Sequence, residues 1–172
     1  QKSSSNTRDL RGKILRIKPL DSGGYSIPPG NLFDGNPIAG SGEIYAMGVR
    51  NPFRISVDPV TDYLYWGEVG PDARNDNQAR GPTGLDEWNQ ARQAGNVGWP
   101  YCIGPNRPYV DYDYATGISS GSFDCANPQN DSPNNTGTFF LPPAKPAWIY
   151  YPYGESEEFP GVTLGSGRTA MA

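Results

Sequence analysis

Glycine and proline constrain this chain more than any other feature. There are 22 Gly and 18 Pro, 40 of 172 residues (22 plus 18), a share close to that of disordered segments. Yet the same chain carries 21 aromatics, counting 4 Trp, 11 Tyr and 6 Phe, far more than a solvated tail holds. A chain of this length has room for one domain with a real core and not for two large ones. Frequent backbone breakers plus many aromatics therefore predict a loop-rich, mostly β globule.

The local patterns agree. Residues 12 to 20, "GKILRIKPL", form a β-like run, and residues 21 to 37, "DSGGYSIPPGNLFDGNP", form a long surface loop. "GEIYAMGVR" (42 to 50) is the next strand. "FRISVDP" and "DYLYWGEVG" flank "DPVTD", with Phe53, Ile55 and Val57 alternating with polar positions and Leu64 and Trp66 opposite Tyr63 and Tyr65, which predicts a hairpin. Helical periodicity is weak throughout. Its best case is "GLDEWNQARQAGN" (84 to 96), where Asp86 or a neighbour would cap one or two turns. Residues 104 to 146 read mostly as loop, and "AWIYYPY" (147 to 153) as a late strand. Short sequential strands between long loops predict a sandwich, a barrel or a propeller.

Charge and absences narrow the chemistry. Lys plus Arg number 14 and Asp plus Glu 18, a net charge of -4, so the surface as a whole does not attract phosphate backbones. No nucleic-acid role is expected, and no stretch approaches the roughly 20 apolar residues of a membrane span. The chain has no histidine, which excludes a Ser-His-Asp triad or a His-ligated metal within it. Two cysteines without histidine also exclude a four-ligand zinc site, and no Walker or Rossmann glycine pattern occurs. Oxygen-ligand chemistry, Arg and Asn contacts and aromatic surfaces remain.

Cys102 and Cys125 bound a segment rich in Pro, Gly, Tyr and Asp. Paired, they close a loop of about 24 residues, worth about 3 to 4 kcal/mol in the chain-entropy model; the alternative is two buried thiols. Two sequons begin at Asn130 and Asn134, the first weakened by Pro133. A disulfide and sequons fit a secreted chain. The sequence begins at Gln1 and not Met, so an upstream piece is expected to have been removed.

"GKILRI", "EIYAMGVRNPFRISVDPVTDYLYWGEVGPDA", "GPTGLDEWNQARQAGNVGWPYC", "NDSPNNTG" with "LPPAKPAWIYYPYGES", and the closing "GRTAMA" together resemble the later half of the glucose/sorbosone dehydrogenase family, the soluble quinoprotein sugar dehydrogenases. The cysteine pair and the "GPDARNDNQARGPTG" insertion are similar to secreted bacterial multidomain members. The resemblance implies a six-bladed β-propeller holding pyrroloquinoline quinone (PQQ) and calcium, oxidising the anomeric carbon of aldose sugars and passing electrons to an external acceptor. At roughly 40 to 50 residues per blade, residues 1 to 172 would form a partial propeller of about three blades.

By the same resemblance Arg50 and Asn51 contact the quinone, with Arg50 beside its reactive carbonyl, where a fixed cation stabilises developing negative charge. The carbonyls of Gly70 and Pro71 match ligands of the catalytic calcium, an ion that prefers oxygen donors. Asp86 matches an aspartate beside the sugar, and Glu87 with the Val97 carbonyl part of a second, structural calcium site. Arg168 is a further cofactor or substrate cation. Val69 stands where well-known members carry a polar side chain, and the insertion lengthens the loop before Asp86; both departures bear on sugar specificity more than on metal binding.

Each motif also has a plain structural reading. Arg-Asn-Pro is a strand-ending turn, Gly70-Pro71-Asp72 a turn, Asp86-Glu87 a solvated helix start, and "DYDYATG" (111 to 117) lacks the glycine and final glutamate of an EF-hand. The family's proton acceptor is a histidine from the earlier half, so residues 1 to 172 alone are expected to be inactive. An open arc of blades also leaves an edge that the missing N-terminal half or another chain must cover. The competing class is a non-catalytic propeller module that binds carbohydrate or protein.

Overall fold

A computed structural model of the chain describes residues 2–152 together with Glu158 and Pro160; Arg168 lies outside the described residues. Among these residues the fold is all-β with almost no helix, a single 3-10 turn at Lys2–Ser5. The strands are β1 (Lys13–Leu15), β2 (Lys18–Pro19), β3 (Tyr25–Ser26), β4 (Ile44–Met47), β5 (Pro52–Val57), β6 (Leu64–Glu68) and β7 (Asp86–Ala91). They continue as β8 (Gly95–Asn96), β9 (Cys102–Ile103), β10 (Arg107–Pro108), β11 (Val110–Asp113), β12 (Ile118–Ser122) and β13 (Ile149–Tyr151).

Two sheets carry the architecture. One has the order β1-β4-β8, with β1 antiparallel and β8 parallel to β4. The other is a four-stranded antiparallel meander, β13-β7-β6-β5. Trp66 and Leu64 of β6 pack with Ile14, Tyr45, Ala46 and Val49 to form a core between the two sheets. Ile44 and Met47 of β4 enter a second cluster with Phe33, Tyr101, Cys102 and Leu141. β4 thus lies between two cores, which is why its sequence is a continuous apolar run and does not alternate.

The expected hairpin forms, with Val57 opposite Leu64 and Ile55 opposite Trp66. Its first strand, however, lies at the edge of the meander, leaving Phe53 64%, Ile55 53% and Val57 55% exposed. Period-2 alternation fixes which residues share a face but does not determine what packs against it.

The expected helical turn in residues 84 to 96 is corrected: Asp86–Ala91 is a strand paired with β6 on one side and β13 on the other. Trp88 and Asn89 are weak helix formers, and two ladders override what little local preference exists. Asp86 and Glu87 are accordingly buried and do not form a solvated helix start. Residues 110 to 122, read as loop, contain the β11-β12 hairpin, and the Asp113 carboxylate accepts Ala115 N–H (2.8 Å) and Thr116 Oγ–H (2.7 Å) inside that turn.

Cys102 and Cys125 are bonded, with a sequence separation of 23. The bond ties β9, and through it the second core, to the end of the β11-β12 segment. Asn130, start of the first sequon, is 1% exposed and anchors the N-terminal segment by donating to Lys2 O (3.4 Å), whereas Asn134 is exposed. Reduction, or Cys102→Ser with Cys125→Ser, is expected to cost about 3 kcal/mol. Urea unfolding of oxidised and reduced protein measures this; coincident midpoints would contradict it.

Candidate functional site

The site is built where β4 turns into β5. Gly48 adopts φ +73° and passes so close to Asn96 and Gly98 that a Cβ would meet Asn96 Oδ1 at 2.4 Å. Beyond it, Pro52 pairs with Glu68, which brings the Glu68 carboxylate against the backbone of the preceding corner. Oε1 accepts the N–H groups of both Arg50 and Asn51, the latter at 3.0 Å, while Oε2 accepts Trp66 Nε1–H at 3.1 Å. The Arg50 side chain is fixed as well: Nη1 donates to Val69 O at 2.7 Å, and its guanidinium lies 5.5 Å from the Trp99 ring centroid. A cation over an indole face, tied at its fork, keeps its orientation with little further entropy loss.

The second corner follows β6. Gly70 N–H donates to Asp86 Oδ1 at 2.9 Å. A Cβ at Gly70 would meet Leu85 O at 1.9 Å, and one at Gly84 would meet Pro71 O at 1.9 Å, so glycine is needed at both positions for the two segments to approach. The Pro71 carbonyl also accepts Ala73 N–H at 2.8 Å.

Glu87 lies opposite Glu68 in the β6-β7 ladder. Its Oε1 accepts Gly104 N–H (2.5 Å) and its Oε2 accepts Asn89 Nδ2–H (3.1 Å). Burial, then the neighbouring Glu68 charge, pushes the Glu87 carboxyl up to about 8. Burial likewise raises Glu68 to about 7, opposed by its three N–H donors and the Arg50 charge. Arg50, Gly70, Glu87 and Val97 line one small pocket of about 10 Å³, room for about one water-sized species.

Of the residues singled out from the sequence, Arg50, Gly70, Glu87 and Val97 therefore meet around this cavity, and Asp86 buttresses it through Gly70. Asn51 is exposed and, with Arg50, Arg11 and Trp99, lines an open cleft of about 480 Å³. Pro71 faces a different cleft, also bordered by Trp99. Two residues that organise the site were missed, Glu68 and Trp99. The signal for Glu68 was an acid inside an otherwise apolar strand; Trp99 had none, because its role depends on a contact 49 positions away in sequence.

Chemically, the Arg50 guanidinium, the Asn51 amide and the Trp99 indole at the open cleft suit a planar anion, while the Arg11 guanidinium is paired with Asp9. No group of three or more His, Cys, Asp or Glu among the described residues is placed to hold a metal ion. Any calcium at the 70 to 71 corner would rest on main-chain oxygens and on oxygens of the bound group.

The buried pair makes stability pH-dependent. Both carboxyls titrate at about 7 to 8 when folded against 4.5 ordinarily, so between about 4.5 and 8 the folded state binds more protons than the unfolded one. Stability is expected to fall as pH rises through that window, and Glu87→Gln to flatten the fall. Thermal midpoints measured from pH 5 to 8 in metal-free buffer test this; equal slopes for both proteins would contradict it. Gly84→Ala, which drives a methyl into Pro71 O, is expected to cost about 1 to 3 kcal/mol by overpacking in the same assay.

A family model described as Glucose / Sorbosone dehydrogenase matches residues 1–122. The chain is 34% identical to the HIPL2 protein of Arabidopsis thaliana over 124 residues, covering 62% of this chain and 16% of that protein. It is 34% identical to the aldose sugar dehydrogenase YliI of Escherichia coli (strain K12) over 94 residues, 53% of this chain and 20% of that protein. A crystal structure of glucose dehydrogenase aligns over 92% of this chain and 38% of that one, at 19% identity and a TM-score of 0.48. The chain thus spans a fifth or less of the curated relatives it matches. With the family model matched over more than half its length, this chain belongs to the glucose/sorbosone dehydrogenase family.

Proposed function

We propose that residues 1 to 172 supply the cofactor-facing corner of a PQQ- and calcium-dependent dehydrogenase that oxidises the anomeric carbon of aldose sugars and passes the electrons to an external acceptor. In this reading the chain is about three blades of a six-bladed β-propeller, completed by an N-terminal half or another chain. Its disulfide fits an oxidising, extracellular setting. The observation that carries the reading is the immobilised Arg50-Asn51 corner: two N–H groups on Glu68, a guanidinium on Val69 O, and Trp99 beneath it.

Oxidation of a cyclic aldose at C1 removes a hydride and the hydroxyl proton. The bound quinone, with calcium polarising its carbonyl, would supply the hydride acceptor. Arg50 holds a fixed positive charge beside the cleft where negative charge develops, pre-organised and thus without reorganisation cost. Asn51 presents an amide for orientation, and Arg168 would add a further cation. Gly70 and Pro71 offer main-chain oxygens to the catalytic ion, Asp86 aligns that corner, and Glu87 with the Val97 carbonyl would serve a structural ion. Trp99 walls the cleft. The base that the family resemblance implies is a histidine, and the chain contains none, so in this reading that residue would be supplied from outside residues 1 to 172.

A second reading has its own support. The Pro71 carbonyl already accepts Ala73 N–H and Glu87 accepts two donors, so two of the groups assigned to ions are engaged within the protein, which favours a propeller module without redox chemistry. Titration of full-length protein with PQQ and calcium, followed by dye reduction on an aldose panel, separates the two. Saturable PQQ binding weakened about 10- to 100-fold by Arg50→Ala, the loss of charged hydrogen bonds, is expected for the enzyme. Glycan binding with no PQQ binding would establish the module instead.

A further inference from the structure

A second cleft is larger than the one beside Asn51. It measures about 630 Å³ and lies between the insertion that follows Pro71 and the β11-β12 hairpin. Such a volume falls in the range of about 300 to 1,000 Å³ that small-molecule sites occupy. Its walls are held in place. Val110 N–H donates to Arg80 O (3.1 Å), Ser119 Oγ–H to Ala79 O (2.7 Å), and Arg107 pairs with Asp76 at 3.0 Å. Gly81, at φ +113°, lies so near Tyr109 that a Cβ would meet Tyr109 Cα at 2.8 Å. The insertion is thus docked on the hairpin, which the disulfide closes, and the cleft is pre-formed.

Its lining is aromatic with balanced charge. Tyr112 and Tyr114 pack edge to face at 5.0 Å, and the Arg80 guanidinium sits 4.7 Å and 5.5 Å from their ring centroids. Tyr114 is 81% exposed. Lys2 and Arg80 are matched by Asp72 and Asp111, so the lining carries no net charge to draw a phosphate or a nucleotide. Asn75 and Asn77 add amides. Ring faces for C–H surfaces, with amides and carboxylates for hydroxyls, match a neutral polyhydroxyl ligand.

The cleft adjoins the Arg50 corner, with Trp99 as the shared wall. Trp99 borders both, stacking under Arg50 and meeting Tyr109 edge to face at 5.9 Å. Tyr109 runs from the cleft wall inward: burial and the Glu87 carboxyl raise its hydroxyl above the usual range, with the Arg50 charge opposing. Pro71 itself lines the cleft. We propose that this cleft is a saccharide-binding subsite, which holds the further units of a neutral oligosaccharide whose reducing end lies at the Arg50 corner. The position of the reducing end rests on the dehydrogenase reading; occupancy of the cleft does not.

Calorimetric titration of full-length protein, without PQQ or calcium, tests the subsite directly, using glucose, cellotetraose, maltotetraose and tetragalacturonate as probes. One of the two neutral tetrasaccharides is expected to bind at least about tenfold tighter than glucose, the equivalent of one or two stacked rings. Tyr114→Ala and Tyr112→Ala with Tyr114→Ala are expected to remove that preference, and Tyr112→Phe to keep it. Because Tyr114 is largely in solvent, its truncation leaves the fold intact. Equal affinity for glucose and both neutral tetrasaccharides, a preference that survives Tyr114→Ala, or tighter binding of tetragalacturonate would each overturn the proposal. PQQ binding followed on the same samples separates the two inferences. A tetrasaccharide preference without PQQ binding sinks only the dehydrogenase reading, and PQQ binding without the preference sinks only the subsite.

Discussion

The arrangement depends on one buried carboxylate. Removing Glu68 from water is costly, and the cost is offset by three N–H donors and by the charge of Arg50. Two of those donors are the backbone amides of the residues that face the cleft, so the compensation that makes the burial tolerable also fixes the β4-β5 corner. All three partners donate, which favours the ionised form, while burial favours the neutral one; the balance sets a titration near neutrality and not in the acid range. Glu87, its neighbour across the ladder, is more strongly affected because it faces a like charge with fewer donors.

The two sheets give this corner a rigid base. Trp66 is fully buried between them and also donates to Glu68, so core packing and site geometry share one side chain. β7 is central in its sheet, and that position lets Asp86 reach Gly70 and Glu87 reach Gly104. The insertion and the disulfide-closed hairpin stand outside this frame. They wall a cleft, and the hairpin's far end packs on the second core through Phe123 and the Cys102–Cys125 bond.

Much of this was legible in residues 42 to 70. Strand boundaries, the hairpin and the Arg-Asn-Pro corner follow from local alternation and from proline. The cysteine pairing followed from a count of two within a loop-rich segment. Reading Asp86-Glu87 as a helix start failed because acidic residues after a glycine look alike whether they begin a helix or enter a central strand; only the ladders on both sides distinguish them. The exposed face of Phe53, Ile55 and Val57 was equally hidden, since period 2 carries no information about neighbours.

The sequence by itself determined the class of backbone: glycine and proline at short intervals, with β-branched and aromatic residues between them, permit strands and turns and little else. It also determined the available chemistry, because a chain without histidine and with its two cysteines bonded has oxygens, amides, ammonium and guanidinium groups and rings to offer. Tertiary structure alone decided that Glu68 clamps the Arg50 corner, that Trp99 lies beneath it, and that Tyr112 and Tyr114 meet Arg80. Those contacts join residues separated by tens of positions, and their energies come from burial and distance, quantities that exist only once the chain has closed on itself.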